Sequence, residues 1–95
     1  MKIADILTEL ETVAEKKSIR VSYENMAADL GTGGLCKVKG EYRVIVDRRA
    51  TDGDKVTVLA QALAQFPLED LFMSEQTRAL IEKREKPRIQ SVNPL

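Results

Sequence analysis

Leu35-Cys36-Lys37-Val38-Lys39-Gly40-Glu41-Tyr42-Arg43-Val44-Ile45-Val46-Asp47 is the stretch on which the fold turns. Residues 35–39 and 42–47 are strand-like runs on either side of Gly40-Glu41, and so short a glycine-containing connection predicts an antiparallel hairpin. The consecutive β-branched residues Val44, Ile45 and Val46 predict a central strand covered on both faces. Upstream, Ile19, Val21 and Tyr23 alternate with Arg20 and Ser22, the period of a strand with one buried face. A loop of about ten residues joins it to the hairpin and ends in Gly31-Thr32-Gly33-Gly34. Further upstream, Ile3, Ile6, Leu7, Leu10, Val13 and Ala14 recur at helical spacing, with Lys2, Glu9, Glu11, Glu15 and Lys16 off that stripe. That pattern predicts an amphipathic helix over 2–16.

Downstream, Thr51-Asp52-Gly53-Asp54 reads as a helix start, with Thr51 as N-cap and acids where the macrodipole is positive. The helix should run to about Phe66, stopped by Pro67. Its face of Val58, Leu59, Ala62, Leu63 and Phe66, with Ala60 and Ala64 opposite, leaves little polar surface, so it should be sandwiched. Residues 68–72 form an apolar connection. Ser74 and Glu75 open a last helix through Ala79, Leu80 and Ile81, which Pro87 should stop. The expectation is an α+β fold: an N-terminal helix, a small antiparallel sheet of about three strands, and two C-terminal helices, the first lying across the sheet. Residues 1–86 form the single domain and 87–95 a flexible tail.

Composition narrows the chemistry. A chain of 95 residues builds one modest core. Its 15 basic and 15 acidic residues cancel, so no overall field draws it to nucleic acid or an anionic membrane. Cys36 is the single cysteine and there is no histidine. Internal disulfides and ordinary zinc sites are thereby excluded, and a reducing cytoplasm is the expected setting. The start, Met1-Lys2-Ile3-Ala4-Asp5-Ile6, carries an acid within its apolar run, unlike a signal peptide. No segment approaches the length of a membrane span.

The run Leu59-Ala60-Gln61-Ala62-Leu63-Ala64-Gln65 has the layout of a zinc-peptidase helix stripped of its chemistry. In the pattern His-Glu-x-x-His, two imidazoles share a helix face one turn apart and a glutamate beside them serves as general base. Gln61, Ala62 and Gln65 occupy those places. An amide oxygen is a poor zinc ligand and a methyl group accepts no proton. Together with Ile19-Arg20-Val21-Ser22-Tyr23-Glu24, the Gly33-Gly34-Leu35 entry to the hairpin and Tyr42-Arg43-Val44-Ile45-Val46-Asp47, the order of elements over residues 5–66 resembles the N-terminal part of ImmA/IrrE-type minimal zinc peptidases. In those enzymes a comparable strand leads through an Arg- or Lys-bearing loop, here Arg48-Arg49-Ala50-Thr51, to the metal helix. The resemblance implies a zincin-like scaffold whose metal ligands map onto Gln61 and Gln65 and whose base maps onto Ala62. A downstream acidic ligand has no assigned position, with Glu69, Glu75 and Glu82 only loosely placed. No metal, cofactor or catalytic residue is expected.

Other motifs carry less. Gly31-x-Gly33-Gly34 lacks the Lys-Ser/Thr of a phosphate loop and leads into a strand, as a turn does. Cys36 has no base to activate it and suits a small buried site. Lys37, Lys39, Arg43, Arg48 and Arg49 gather about the hairpin, either as phosphate contacts for nucleic acid or as a solvated edge that discourages aggregation. Phe66, Leu68, Leu71, Phe72 and Met73 form a dense apolar cluster, part of which could meet a second subunit. The tail, with Ile89 and Val92, could add to a neighbour's sheet edge. The leading expectation is a non-catalytic interaction or regulatory module that binds a protein partner or itself as a homodimer, with no membrane association. A small nucleic-acid-binding accessory protein is the alternative, and an enzyme of unknown type stands last.

Overall fold

The computed structural model describes residues 2–26 and 31–91, with side-chain surroundings as far as Lys83. Six elements follow one another: α1 (Ile3–Lys16), β1 (Arg20–Glu24), β2 (Gly33–Val38), β3 (Glu41–Asp47), α2 (Asp52–Leu63) and α3 (Glu75–Ser91). The α+β layout is the one the sequence predicts.

Helix α1 buries Ile6, Leu10, Val13 and Ala14 along the predicted stripe. Its C-terminus closes in a Schellman arrangement, with Ile19 N–H on the Ala14 carbonyl at 2.9 Å and Ser18 N–H on Glu15 at 3.0 Å. Ser18 takes φ 61° at the left-handed position where glycine is usual. The turn delivers Ile19, itself buried, into the start of β1.

The sheet order is β1-β3-β2, with β3 central. Strands β2 and β3 form the expected antiparallel hairpin, Leu35 opposite Val44 and Cys36 opposite Arg43. Its turn is Lys39-Gly40, one residue earlier than predicted; both have positive φ, 52° and 82°, as a two-residue type I′ turn requires. The pairing of β1 departs from the expected antiparallel sheet. It runs parallel to β3, Val21 beside Val44 and Tyr23 beside Val46, so the sheet is mixed. Burial accounts for the order. A simple meander would put β2, with Gly33, Gly34 and Lys37, in the middle, where glycines weaken a strand; the observed order gives the centre to the β-branched β3.

Val44 and Val46 are fully buried beneath the helices, whereas Ile45 on the other face is half-exposed. The expected cover on both faces is therefore absent among the described residues. Helices line one side of the sheet, and Arg43, Ile45 and Asp47 look out from the other, because successive strand side chains alternate.

Helix α2 is capped by Thr51, whose hydroxyl accepts Asp54 N–H at 3.1 Å. It lies among α1, α3 and the sheet, which is why Val56, Val58, Leu59, Ala60, Ala62 and Leu63 are all buried. It ends three residues short of Phe66. The last turn tightens through Gln65 N–H on Ala62 and Phe66 N–H on Leu63, since the residue before Pro67 is pushed out of the helical region. Helix α3 passes Pro87, where a stop was expected, and continues to Ser91. The proline removes one backbone donor there, and nothing in the structure explains how the helix tolerates it. Of the predicted tail, 87–91 are helical and 92–95 lie outside the described residues.

Candidate functional site

Gln61, Ala62 and Gln65, the residues at the places of the zinc-peptidase pattern, fall at the C-terminal end of α2 and in the turn after it. Gln61 on α2 and Gln65 in the turn that follows the helix are both exposed, and Gln65 Nε2 reaches the Gln61 carbonyl at 3.5 Å. Ala62, at the place of a general base, is 2% exposed and part of the core. Its methyl group fills space between packed elements and faces no solvent. Among the described residues, no three His, Cys, Asp or Glu side chains are placed to hold a metal ion.

The five basic residues do not form one patch. Arg48 donates to the Tyr23 carbonyl at 3.2 Å and Arg49 to the Met26 carbonyl at 2.7 Å, so they tie β1 and the segment after it to the residues that follow β3. Asp47 receives Arg49 N–H at 3.0 Å, and that bond, ahead of the Arg49 charge, holds its carboxyl below the usual range. At the hairpin end, Lys37 lies over the Tyr42 ring at 5.1 Å, while Lys39 occupies the turn. Arg43 stands on the open face. Arg43 and Arg48 stand at opposite ends of a five-residue span, roughly 16 Å at about 3.3 Å per extended residue, too far for one phosphate.

The apolar cluster turns mostly inward. Leu68 and Met73 are buried, and Phe66 and Leu71 pack against the core. Phe66 meets Tyr42 edge-on at 5.0 Å between ring centres, and Arg78 donates to the carbonyls of Leu68 and Leu71. Phe72 alone of the five projects, 89% exposed. The cluster over 66–73 reads as an interaction surface because its composition does not reveal that α3 folds back over it. Cys36, expected to be buried, is half-exposed on the open face beside Arg43.

One concave feature combines polar groups that sequence reading did not bring together. A groove of about 590 Å³ runs between α1 and the outer edge of β1, lined by Glu11, Glu15, Ser18, Ile19, Arg20, Val21 and Tyr23. The Tyr23 hydroxyl donates to Glu11, and the Lys55 ammonium lies 5.4 Å from the centre of the Tyr23 ring. Burial, then the Glu11 carboxylate, raises the phenol well above its ordinary value. The alternation of β1 placed Tyr23 on the inner face; its partner on α1 was not legible, because the helix phase relative to the strand is set by packing.

No helix among the described residues is long and apolar enough to cross a membrane. The fold and the groove define an α+β domain in which, among the described residues, the outer edge of β1 is unpaired and one sheet face is uncovered. Comparison with protein-family models, curated proteins and solved structures finds no match for the chain.

Proposed function

We propose that the chain is a non-catalytic protein-binding module that takes up an extended segment of a partner along the outer edge of β1. The observation that carries this reading is the β1 edge beside its groove, unpaired among the described residues. An edge strand presents backbone donors and acceptors to an incoming strand, and side-chain pockets then select the sequence. Glu11 and Glu15 line the α1 side of the groove, favouring a segment with Lys or Arg directed toward α1. The outer edge of β2 offers less selectivity, because Gly33 and Gly34 contribute no side chains there.

Descent from a zincin belongs to the same reading. It is supported by the quoted order of elements and by two exposed amides four positions apart at the end of α2. Ala62 inside the core supports the absence of hydrolytic chemistry. The nucleic-acid alternative loses weight, since Arg48 and Arg49 serve backbone carbonyls and Lys37 stands on the opposite sheet face from Arg43.

The test is site-specific photocrosslinking from Ser18 and Arg20, with Gln61 and Phe72 as comparison sites. Crosslinks from the groove should map to one extended segment of a partner. A synthetic copy of that segment should slow amide exchange across β1 and bind less well to Glu11→Gln and Glu15→Gln. Capture confined to Gln61 or Phe72, or a peptide that leaves β1 amides unprotected, refutes the proposal.

A further inference from the structure

Arg20 of β1 and Arg43 of β3 are register partners. Arg43 alternates with the buried Val44, so both side chains leave their strands toward the uncovered face. Neighbouring strands lie about 4.7–4.9 Å apart, and like charges side by side at such a spacing destabilise the pair. Neither arginine can shed its charge. Nor does the chain supply a counterion: among the described residues, neither has an ion pair or a hydrogen bond of its side chain. Arg48, Arg49 and Arg78 by contrast each have a carbonyl to donate to.

The rest of the face sharpens the picture. Cys36 flanks Arg43 on the side away from Arg20, and the next row holds Ser22, Ile45 and Gly34. A Cβ at Gly34 would meet nothing within 4 Å, so a bare spot adjoins the half-exposed Ile45. Among the described residues, the carboxylates on this face form no ion pair with either arginine. Glu41 is two positions before Arg43, while Glu24 and Asp47 lie beyond the Ile45 row. Glu24 already accepts the Ser22 hydroxyl at 2.6 Å, and Asp47 is held by Arg49.

We propose that Arg20 and Arg43 form a binding site for a phosphate dianion, either free or as the head group of a small ester whose body rests over Ile45 and Gly34. Two opposed guanidinium forks match two charges and several acceptor oxygens better than they match a single carboxylate. Occupation converts a repulsive pair into a bridged one. Arg20 also lines the groove at the β1 edge, whereas Arg43 has no part in that groove.

The experiment is an NMR titration of the whole chain with inorganic phosphate and, separately, phenyl phosphate. Expected are saturable shifts of the Arg20 and Arg43 Nε–Hε signals and of the Cys36 amide, with Arg48 and Arg49 unmoved. Arg20→Gln and Arg43→Gln should each weaken binding about tenfold, the loss of one charge-assisted fork. Without phosphate, both variants should melt at or above the parent temperature, because a repulsion has been removed. Additional shifts at the Ile45 methyls and tighter binding with phenyl phosphate assign the site to an ester; equal binding of both probes assigns it to free phosphate. Non-saturating shifts shared by all arginines, or unchanged binding in both variants, overturn the proposal.

Discussion

The Glu9 carboxylate on α1 receives the backbone N–H of Ser74 at 3.0 Å, across 65 positions of chain. Its other oxygen accepts the Ser74 hydroxyl at 2.7 Å and the Thr77 hydroxyl as well. Ser74 also accepts Thr77 N–H at 3.2 Å, the geometry of an N-cap. A carboxylate from the first helix thus sits at the positive end of the last one, satisfying donors that α3 could not satisfy itself. Thr77, fully buried, depends on this arrangement for its hydroxyl.

Replacing Glu9 by Gln should therefore cost about 1–2 kcal/mol of stability, the range for losing a helix cap and a charge-assisted bond. Thr77→Val should cost less than Thr77→Ala, since the first keeps the volume and the second leaves a cavity. Urea unfolding of the three variants checks both statements. An unchanged midpoint for Glu9→Gln would remove the cap from the account of how α3 is held.

The same carboxylate sets an acid limit. Hydrogen bonds from Thr77 first, then Ser74, lower Glu9 below its ordinary value of 4.5 against the opposing effect of burial. A carboxyl with a depressed folded-state pKa contributes stability above its unfolded value and loses it as pH falls toward the folded value. The unfolding midpoint should accordingly fall as pH drops below about 4.5. Glu9→Gln should flatten that slope but not abolish it, because Asp47 is depressed in the same direction by Arg49 N–H.

At the alkaline end the sign reverses. Tyr23 is half-buried and donates to Glu11, and its phenol is raised from 10.0. A group with a raised folded-state pKa gives stability that is full below the unfolded value and drains away as pH rises through the folded one. Unfolding above pH 10 should be steeper in the parent than in Tyr23→Phe. At neutral pH that variant should lose about 1 kcal/mol, one hydrogen bond's net worth. Thermal melts at pH 7 and pH 11 test the pair of statements, and parallel curves would contradict them.

These tertiary pairings mark where sequence reading stopped. Ile6, Leu10 and Val13 announce α1 because a helix repeats its buried face locally, and Val44 with Val46 announces β3 for the equivalent reason in a strand. The position of β1 beside β3 is decided by which strand best fills the centre of the sheet, a comparison among three distant segments. Arg20 and Arg43 become neighbours only once that order exists. Leu68 and Met73 similarly read as surface until α3 folds back over them, and Glu9 reads as a solvated helix acid until Ser74 arrives.

Backbone geometry gives a stabilising substitution. Ser18 sits at φ 61° in the turn that ends α1, and a left-handed conformation costs a non-glycine residue roughly 1–2 kcal/mol. Glycine relieves that strain but gives back about 0.5–1 kcal/mol through a more flexible unfolded chain. Ser18→Gly should be net stabilising by up to about 1 kcal/mol. A lower urea midpoint would mean that the Ser18 side chain contributes more than its backbone costs.

Gly33 should be the least replaceable glycine. It has φ 134°, and a Cβ there would run into the Ile45 carbonyl and the Val46 Cα of the adjacent strand. Both obstacles are backbone atoms of the central strand, so no rotamer change relieves the clash. Gly33→Ala should cost about 3 kcal/mol or more, strain and overpacking together. Gly34→Ala, one residue on, meets nothing within 4 Å and should be neutral or slightly stabilising, since alanine restricts the unfolded chain. Urea unfolding of the two variants side by side decides the matter. Equal midpoints would mean that β2 does not approach β3 as closely as Gly33 permits.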